Sequence, residues 1–273
     1  EGTRIILPTQ FVLPDAPREG LVLNLAAMRL FYFPTPDTEE PARVITLPIG
    51  IGREGWRTPL GTSRIIEKTV QPYWTVPVSV RREHASQSDP LPAVVPPGSD
   101  NPLGAYAMRL SLPSYLIHGT NQPYGVGIRV SHGCVRLYPE DIARLFPKVP
   151  LDTPVKIVNQ PYVAGWLNGQ LYLDAHPPLA EDAKRWGSSL KPMELALQAK
   201  APGPDAVDRD KARRVAQEAR GIPVPVSPGS PDLAAMLRTA SRVPSHPPWT
   251  LADSHPPVSG KDDSHPGGYF DGL

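Results

Sequence analysis

The chain predicts a mostly β protein with one principal domain and a small mixed α+β subdomain toward its C-terminus. Three observations carry that reading. Seven short runs rich in Val, Ile, Leu, Tyr and Phe lie between Leu21 and Val158. One clear helical pattern interrupts them. After Val158 the composition shifts toward helix-forming segments. At 273 residues the chain exceeds a typical single domain, so one core of about 140 residues with appendages is the natural expectation.

Residues 1–17 form a lead-in, in which Pro8 and Pro14 break an extended, apolar segment. The expected strands are Leu21–Leu25, Arg29–Phe33, Val44–Ile49, Thr62–Val70, Ala105–Leu110, Tyr115–His118 and Val155–Val158. Asn24 to Arg29 includes the turn between the first two. Val80 to Gly104 is polar and proline-bearing, a loop of a length that in a compact domain usually serves function, for instance as a lid. The helix begins at Pro139-Glu140-Asp141, with proline and acids in its first turn, and sets Ile142, Leu145 and Phe146 on one face.

Residues 159–226 read as a subdomain. Asn168-Gly169 marks a tight hairpin turn, and helical pieces are expected at Ala180–Trp186 and Ala206–Arg220, the second stopped by Gly221 and Pro223. Residues 227–273 form a Pro-rich, mostly disordered tail, with one short amphipathic helix within Pro231–Ser241 through Leu233, Met236 and Leu237. The tail repeats Ser-His-Pro at 245–247, 254–256 and 264–266. Such histidines can chelate a metal, but a solvated tail is the plainer reading.

Lys and Arg number 28 against 27 for Asp and Glu, so no basic excess suggests nucleic acid or an anionic membrane surface as partner. No segment reaches the roughly 18 apolar residues of a membrane helix. The chain opens on Glu1 rather than methionine, which reads as a processed or trimmed product with any export signal out of view.

Cys134 is the only cysteine, so an internal disulfide is excluded. It stands in Ser131-His132-Gly133-Cys134-Val135-Arg136. A free cysteine is commonly a small buried hydrophobe. Here a preceding glycine permits a sharp turn, and His132 and Arg136 are expected to favour a thiolate. Upstream, the run Tyr115-Leu116-Ile117 ends at His118-Gly119-Thr120. A thiol nucleophile needs a base near it in space, and His118 is a candidate.

Thirteen residues, Gly119 to Ser131, separate His118 from His132. This His-Gly pair, that spacing and the Ser-His-Gly-Cys-x-Arg segment together resemble the YkuD-type L,D-transpeptidase signature. Thr58-Pro59-Leu60-Gly61 and Asn101-Pro102-Leu103-Gly104 resemble further segments of the family, so the likeness covers residues 18–158. Residues 159–226 resemble the C-terminal extension of the ErfK/YbiS branch, and residues 3–14 resemble the tail of a LysM module.

The resemblance implies a β-sandwich or flattened-barrel catalytic domain that acts on peptidoglycan stem peptides and needs no metal or organic cofactor. Cys134 would attack the diaminopimelate carbonyl of a tetrapeptide stem and release D-alanine. The thioester would then pass to an amine, either another diaminopimelate (a 3→3 cross-link) or a lysine of an outer-membrane lipoprotein. His118 would be the base and the Gly119 carbonyl its orienter. Amides around His132, Gly133 and Cys134 would form the oxyanion hole, with Ser131 in the same loop. Arg136 would either clamp a stem carboxylate or brace the site internally. His132 would support the loop or touch substrate.

Tyr124 and Trp56 either line the groove or pack. His84 is expected to be solvated, Trp74 core, and His176 part of the subdomain. A Gram-negative periplasm is the implied compartment. Water as acceptor would instead make an L,D-carboxypeptidase or amidase, and a non-catalytic wall-binding module is a rival of another class. A papain-like protease is disfavoured, because the cysteine follows its histidine and no early cysteine segment exists.

Overall fold

A computed structural model describes residues 7–35 and 42–241, and the backbone of Tyr269–Phe270. The described chain divides into two units. One lies within Pro17–Val158; the other joins the described lead-in up to Ala16 with the segment from Asn159 to residue 241.

In the first unit the strands are β1 (Gly20–Asn24), β2 (Arg29–Phe33), β3 (Ile45–Pro48), β4 (Ile51–Gly52), β5 (Gly61–Val70), β6 (Tyr73–Thr75), β7 (Val94–Val95), β8 (Tyr106–Leu110), β9 (Leu116–His118), β10 (Arg129–Ser131), β11 (Val135–Arg136) and β12 (Pro154–Val158). Two helices, α1 (Val78–Ser86) and α2 (Pro139–Leu145), accompany them.

Eight strands form one curled mixed sheet in the order β11-β9-β8-β5-β12-β1-β2-β3. The contacts β1–β12 and β11–β9 are parallel, the others antiparallel. β1 is buried along its whole length, and its run Leu21-Val22-Leu23 is the continuous apolar text of a strand covered on both faces. β5 instead alternates near its start, Ser63 and Ile65 inward, Arg64 and Ile66 outward. β3 lies at one end of the order, where Pro48 removes no inner ladder bond.

β3 and β11 are the outer strands of this order, yet the chain just past β3 meets β11. Gly50 and Arg136 exchange two backbone hydrogen bonds of 2.9 Å. A Cβ on Gly50 would lie 2.2 Å from the Gly125 carbonyl oxygen, so only glycine permits this seam. β4 and β10 form a parallel pair beside it. Fully buried Leu21, Leu30, Ile65, Met108, Ile117 and Ile142 anchor the core.

β7 and all but the first two residues of α1 lie within Val80–Gly104, the segment expected to be a loop. α1 was hidden because Pro77 gives it no side-chain cap and only Val80 is buried. No described helix is long and apolar enough to cross a membrane.

The second unit contains β13 (Tyr162–Leu167), β14 (Gln170–Ala175), α3 (Ala180–Trp186), α4 (Lys191–Gln198), α5 (Arg209–Glu218), β15 (Val224–Pro225) and α6 (Leu233–Thr239). The β13–β14 turn is at Asn168-Gly169, with φ of 48° and 75°, as a type I′ hairpin demands. α4 is an addition to the two expected helices. α5 is capped by Asp208, whose carboxylate accepts from the Lys211 amide at 2.9 Å. Tyr162, Leu171, Leu173, Met193, Leu197 and Ala212 share this unit's core. The lead-in joins it through reciprocal Asp15–Gln160 hydrogen bonds of 2.8 and 2.9 Å. A cavity of about 300 Å3 opens beside α4 and α5, lined by Met193, Leu197, Ala201, Val207, Arg209 and others, and holds no nucleophile. The short helix expected within Pro231–Ser241 is α6. Tyr269–Phe270 forms β16, running parallel to β6. The Ser-His-Pro repeats and most of the expected disordered tail lie outside the described residues.

Candidate active site

The hexapeptide that holds Cys134 is the crossover between two sheets. Ser131 ends β10, which pairs with β4; Val135 begins β11, which pairs with β9. Three braces hold the turn. Ser131, buried, donates its hydroxyl to the Cys134 carbonyl at 2.5 Å and accepts from the Gly133 amide at 3.1 Å. Thr58, also buried, accepts from the Gly52 amide at 3.0 Å and donates to the Gly133 carbonyl at 2.7 Å. Gly133 has φ of 111°, and a Cβ there would lie 2.7 Å from the Tyr115 ring.

His118 is buried at the end of β9, its carbonyl accepting from the Leu137 amide at 2.9 Å. In the parallel β9–β11 register Arg136 stands beside His118, and Cys134 lies just before β11 begins. His118 Nδ1 lies 2.6 Å from the Gly119 carbonyl oxygen. A carbonyl can only accept, so in the neutral ring Nδ1 carries the proton; the Leu103 carbonyl is a second acceptor beside the ring. Burial first, then the Arg136 charge, lowers His118 to about 3. The imidazole is therefore neutral at ordinary pH.

Asn101 shapes this pocket from the other side. Fully buried, it donates Nδ2 to the Pro72 carbonyl at 2.8 Å and accepts from the Leu103 amide at 2.9 Å. Gly104, φ 67°, packs so closely on Gly119-Thr120 that a Cβ would sit 2.8 Å from the Thr120 nitrogen.

Cys134 packs with Trp74 against the apolar cluster of Leu103, Ala107 and Leu116. The expectation that its neighbours favour a thiolate is corrected here. Burial pushes the thiol up to about 11, and neither a hydrogen bond from Leu116 nor the Arg136 charge reverses it. The other expected donor of positive charge, His132, faces elsewhere. The thiol donates to the Ser114 carbonyl at 3.6 Å rather than to His118. Ser114, at φ 66°, forms the tip between β8 and β9. At rest the pair is a neutral thiol and a neutral imidazole.

Arg136 is largely shielded, and its Nε makes no hydrogen bond. Burial lowers its pKa without taking it from the charged range of a guanidinium. Tyr124, 75% exposed, stands in the loop whose Gly125 lies against the Arg136 guanidinium. His132 turns toward α1. Its Nε2 is 2.9 Å from Glu83 Oε2 and 3.1 Å from Arg53 Nη2, and Trp56 meets its ring edge-on at 4.9 Å between centroids. His84 is half-buried and bonds Asp89 at 3.0 Å, against the expectation of a solvated side chain. His176 pairs with Asp174 at 3.2 Å in the second unit.

The structure thus places His118 and Arg136 side by side on two adjacent strands, with Gly119 just past the end of β9 and Cys134 just before the start of β11, and uses Ser131 and Gly133 to shape the turn that carries Cys134. Of the amides expected in an oxyanion hole, that of Gly133 is already engaged by Ser131. Sequence reading missed Glu83, Arg53 and Ser114. No local signal marks them, because each is defined by what lies across the fold.

A β domain in which the turn holding the lone cysteine leads into a strand parallel to the one ending at a neutral, backbone-held histidine defines a class of cysteine acyltransferase. Residues 18–157 match the YkuD L,D-transpeptidase catalytic domain, and the chain belongs to that enzyme family, in its ErfK/YbiS-like branch. The probable L,D-transpeptidase ErfK/SrfK of Escherichia coli K12 is 40% identical over 234 residues, covering 84% of this chain and 74% of that one. The probable L,D-transpeptidase YbiS of the same organism is 41% identical over 228 residues, covering 82% and 72%. The crystal structure of L,D-transpeptidase 3 from Mycobacterium tuberculosis aligns with a TM-score of 0.37 at 21% identity, covering 52% and 61%.

Proposed function

We propose that this L,D-transpeptidase acts on peptidoglycan stem peptides outside the cytoplasm, in the periplasm, with Cys134 as nucleophile and His118 as base. The observation that carries the site assignment is the 2.6 Å contact of His118 Nδ1 with the Gly119 carbonyl, which leaves Nε2 as the acceptor of a histidine on the strand next to the one that follows Cys134.

Cys134 Sγ attacks the carbonyl of diaminopimelate in a tetrapeptide stem, and its proton passes to His118 Nε2. The amides of His132 and Cys134 are the remaining main-chain donors for the oxyanion. Collapse breaks the C–N bond, and the Nε2 proton leaves with the D-alanine amine. A thioester remains. An incoming amine then attacks it, gives its proton to Nε2, and frees the sulfur, which recovers that proton. Arg136 supplies a buried cation without an ion-pair partner among the described residues, suited to a stem carboxylate. The amine belongs to a second diaminopimelate or to a lysine of an outer-membrane lipoprotein.

The test is incubation with a tetrapeptide muropeptide, with and without an amine acceptor, followed by mass spectrometry of products. D-alanine and a 3→3 cross-linked product are expected from the stem alone, whose own diaminopimelate amine is an acceptor, and the product of the added amine when one is supplied. Free tripeptide as the sole product in both arms makes the chain a carboxypeptidase instead.

A further inference from the structure

The Ser131–Cys134 turn has one side chain that reaches out of it. Gly133 has none, Ser131 bonds back to the turn, and Cys134 packs on Leu103, Ala107 and Leu116. His132 alone extends toward α1, where Glu83 holds it. The same carboxylate bonds Arg53 through its other oxygen, Oε1.

The geometry sets up a conflict that the carboxylate resolves. Arg53 Nη2 lies 3.1 Å from the same His132 Nε2 that lies 2.9 Å from Glu83 Oε2. A guanidinium only donates, and a carboxylate only accepts. Nε2 can satisfy one of them at a time. With Glu83 ionised, Nε2–H donates to Oε2 and Arg53 donates to Oε1. Without that charge, Arg53 would donate to the Nε2 lone pair and the ring proton would move to Nδ1.

We propose that Glu83 is a positioning residue for the reaction: reaching from α1, it fixes the Nε2–H tautomer of His132 against the competing Arg53 donor and so tethers the turn that carries Cys134. The inference rests on the reading of Cys134 as nucleophile. The groups that face His132 are Arg53 and Trp56 from the segment after β4, and Glu83 and His84 from α1. Two of these favour the neutral ring and one favours the imidazolium. Burial and the Arg53 and His84 charges lower the His132 pKa, while Glu83 raises it. Glu83 in turn is held below the usual carboxylate range by Arg53 and His132.

The experiment compares the full chain with Glu83→Gln, Arg53→Gln and the double variant. Turnover of a tetrapeptide stem is followed from pH 5 to 9, alongside imidazole NMR of His132, assigned with His132→Gln. Glu83→Gln is expected to lower kcat by about three- to tenfold, no more than loss of His132 itself, with KM little changed. It should also move the His132 titration to lower pH, because the carboxylate that favours the imidazolium is gone. Its Nε2 resonance should change from a protonated to an acceptor nitrogen. Arg53→Gln should retain the protonated Nε2 signal, and the double variant should recover part of the lost kcat by removing the competing donor.

The proposal is overturned if Glu83→Gln titrates as wild type with kcat within twofold, or if the double variant is no faster than Glu83→Gln. Should Glu83→Gln fail to fold, Arg53→Gln decides alone: loss of the Nε2–H signal in that variant sinks the idea. A wild-type chain inert toward the stem peptide would defeat the transpeptidase reading. The His132 titration and tautomer would still judge this one.

Discussion

Two histidines flank the same motif, and the structure gives them opposite surroundings. His118 is fully buried, and its Nδ1 faces a main-chain carbonyl. His132 is partly open, and its Nε2 faces a carboxylate and a guanidinium. A carbonyl only accepts, so above about pH 3, where the ring is neutral, the Gly119 carbonyl favours the Nδ1–H tautomer of His118. A carboxylate beside a guanidinium makes the His132 tautomer depend on charge. The first arrangement suits a group that must start each cycle as a base. The second suits a group that holds a loop.

The sharpest way to break this comparison is to exchange the losses. His118→Gln should lower kcat by about 10²–10⁴-fold, the range of a removed general base, whereas His132→Gln should cost only on the order of tenfold. Equal losses from the two variants would erase the distinction drawn here. Iodoacetamide labelling of Cys134 checks the assignment independently, since removal of the base should slow alkylation of the neutral thiol near pH 7.

Stability against pH offers the next largest effect. The folded chain keeps His118 neutral down to about 3, against an ordinary value of 6.5. Below pH 6.5 the unfolded chain takes up a proton that the folded chain refuses. Stability should therefore rise with pH between about 3 and 6.5. Cys134 does the reverse at the alkaline end. The unfolded thiol ionises near 9.0 and the folded one near 11, so stability should fall across that interval. Denaturant midpoints measured from pH 4 to 11 should lose the acid limb in His118→Asn and the alkaline limb in Cys134→Ala. Limbs that persist in both variants would mean that other groups titrate there.

Thr58→Val tests the turn that carries His132 and Cys134. It leaves the Gly133 carbonyl and the Gly52 amide without their buried partner, which should cost ~1–3 kcal/mol of stability and reduce turnover. Calorimetry of the variant unchanged within error would show that water takes over both bonds. The smallest effect is expected far from either histidine. Asp208→Ala removes the cap of α5, costing about 1 kcal/mol, and should leave kcat untouched.

What the sequence revealed follows a physical division. Cys134, Ser131 and Gly133 are legible because one short turn contains them, and His118-Gly119 because a strand ends there with a glycine. The hairpin at Asn168-Gly169 is legible because its turn needs residues that accept positive φ. Glu83 is not, since its meaning depends on α1, whose Val78-Ser79-Val80-Arg81-Arg82 start has neither a cap nor an apolar face. α4 was not among the expected helices, although its Pro192 stands in the first turn, where a helix accepts proline. The thiol's raised pKa was illegible too. Local charges pointed toward a thiolate, and only packing against Leu103, Ala107 and Leu116 shows that desolvation outweighs them. Thr58 and Asn101 stood in segments with a family likeness, but the bonds that explain them span the fold.

The backbone exchange between Gly50 and Arg136 has a temporal consequence. Its partners are far apart along the chain, so the entropy of closing that loop must be met before the contact can form, and β5, β8 and β9 are made from the residues in between. During refolding, strand content should thus return before Arg136 is fastened in place. Cys134 lies two residues from that fastening point. The rate at which its sulfur regains native shielding from an alkylating reagent should serve as a clock for the last stage of folding, so that the residue proposed for chemistry also reports when the barrel has closed.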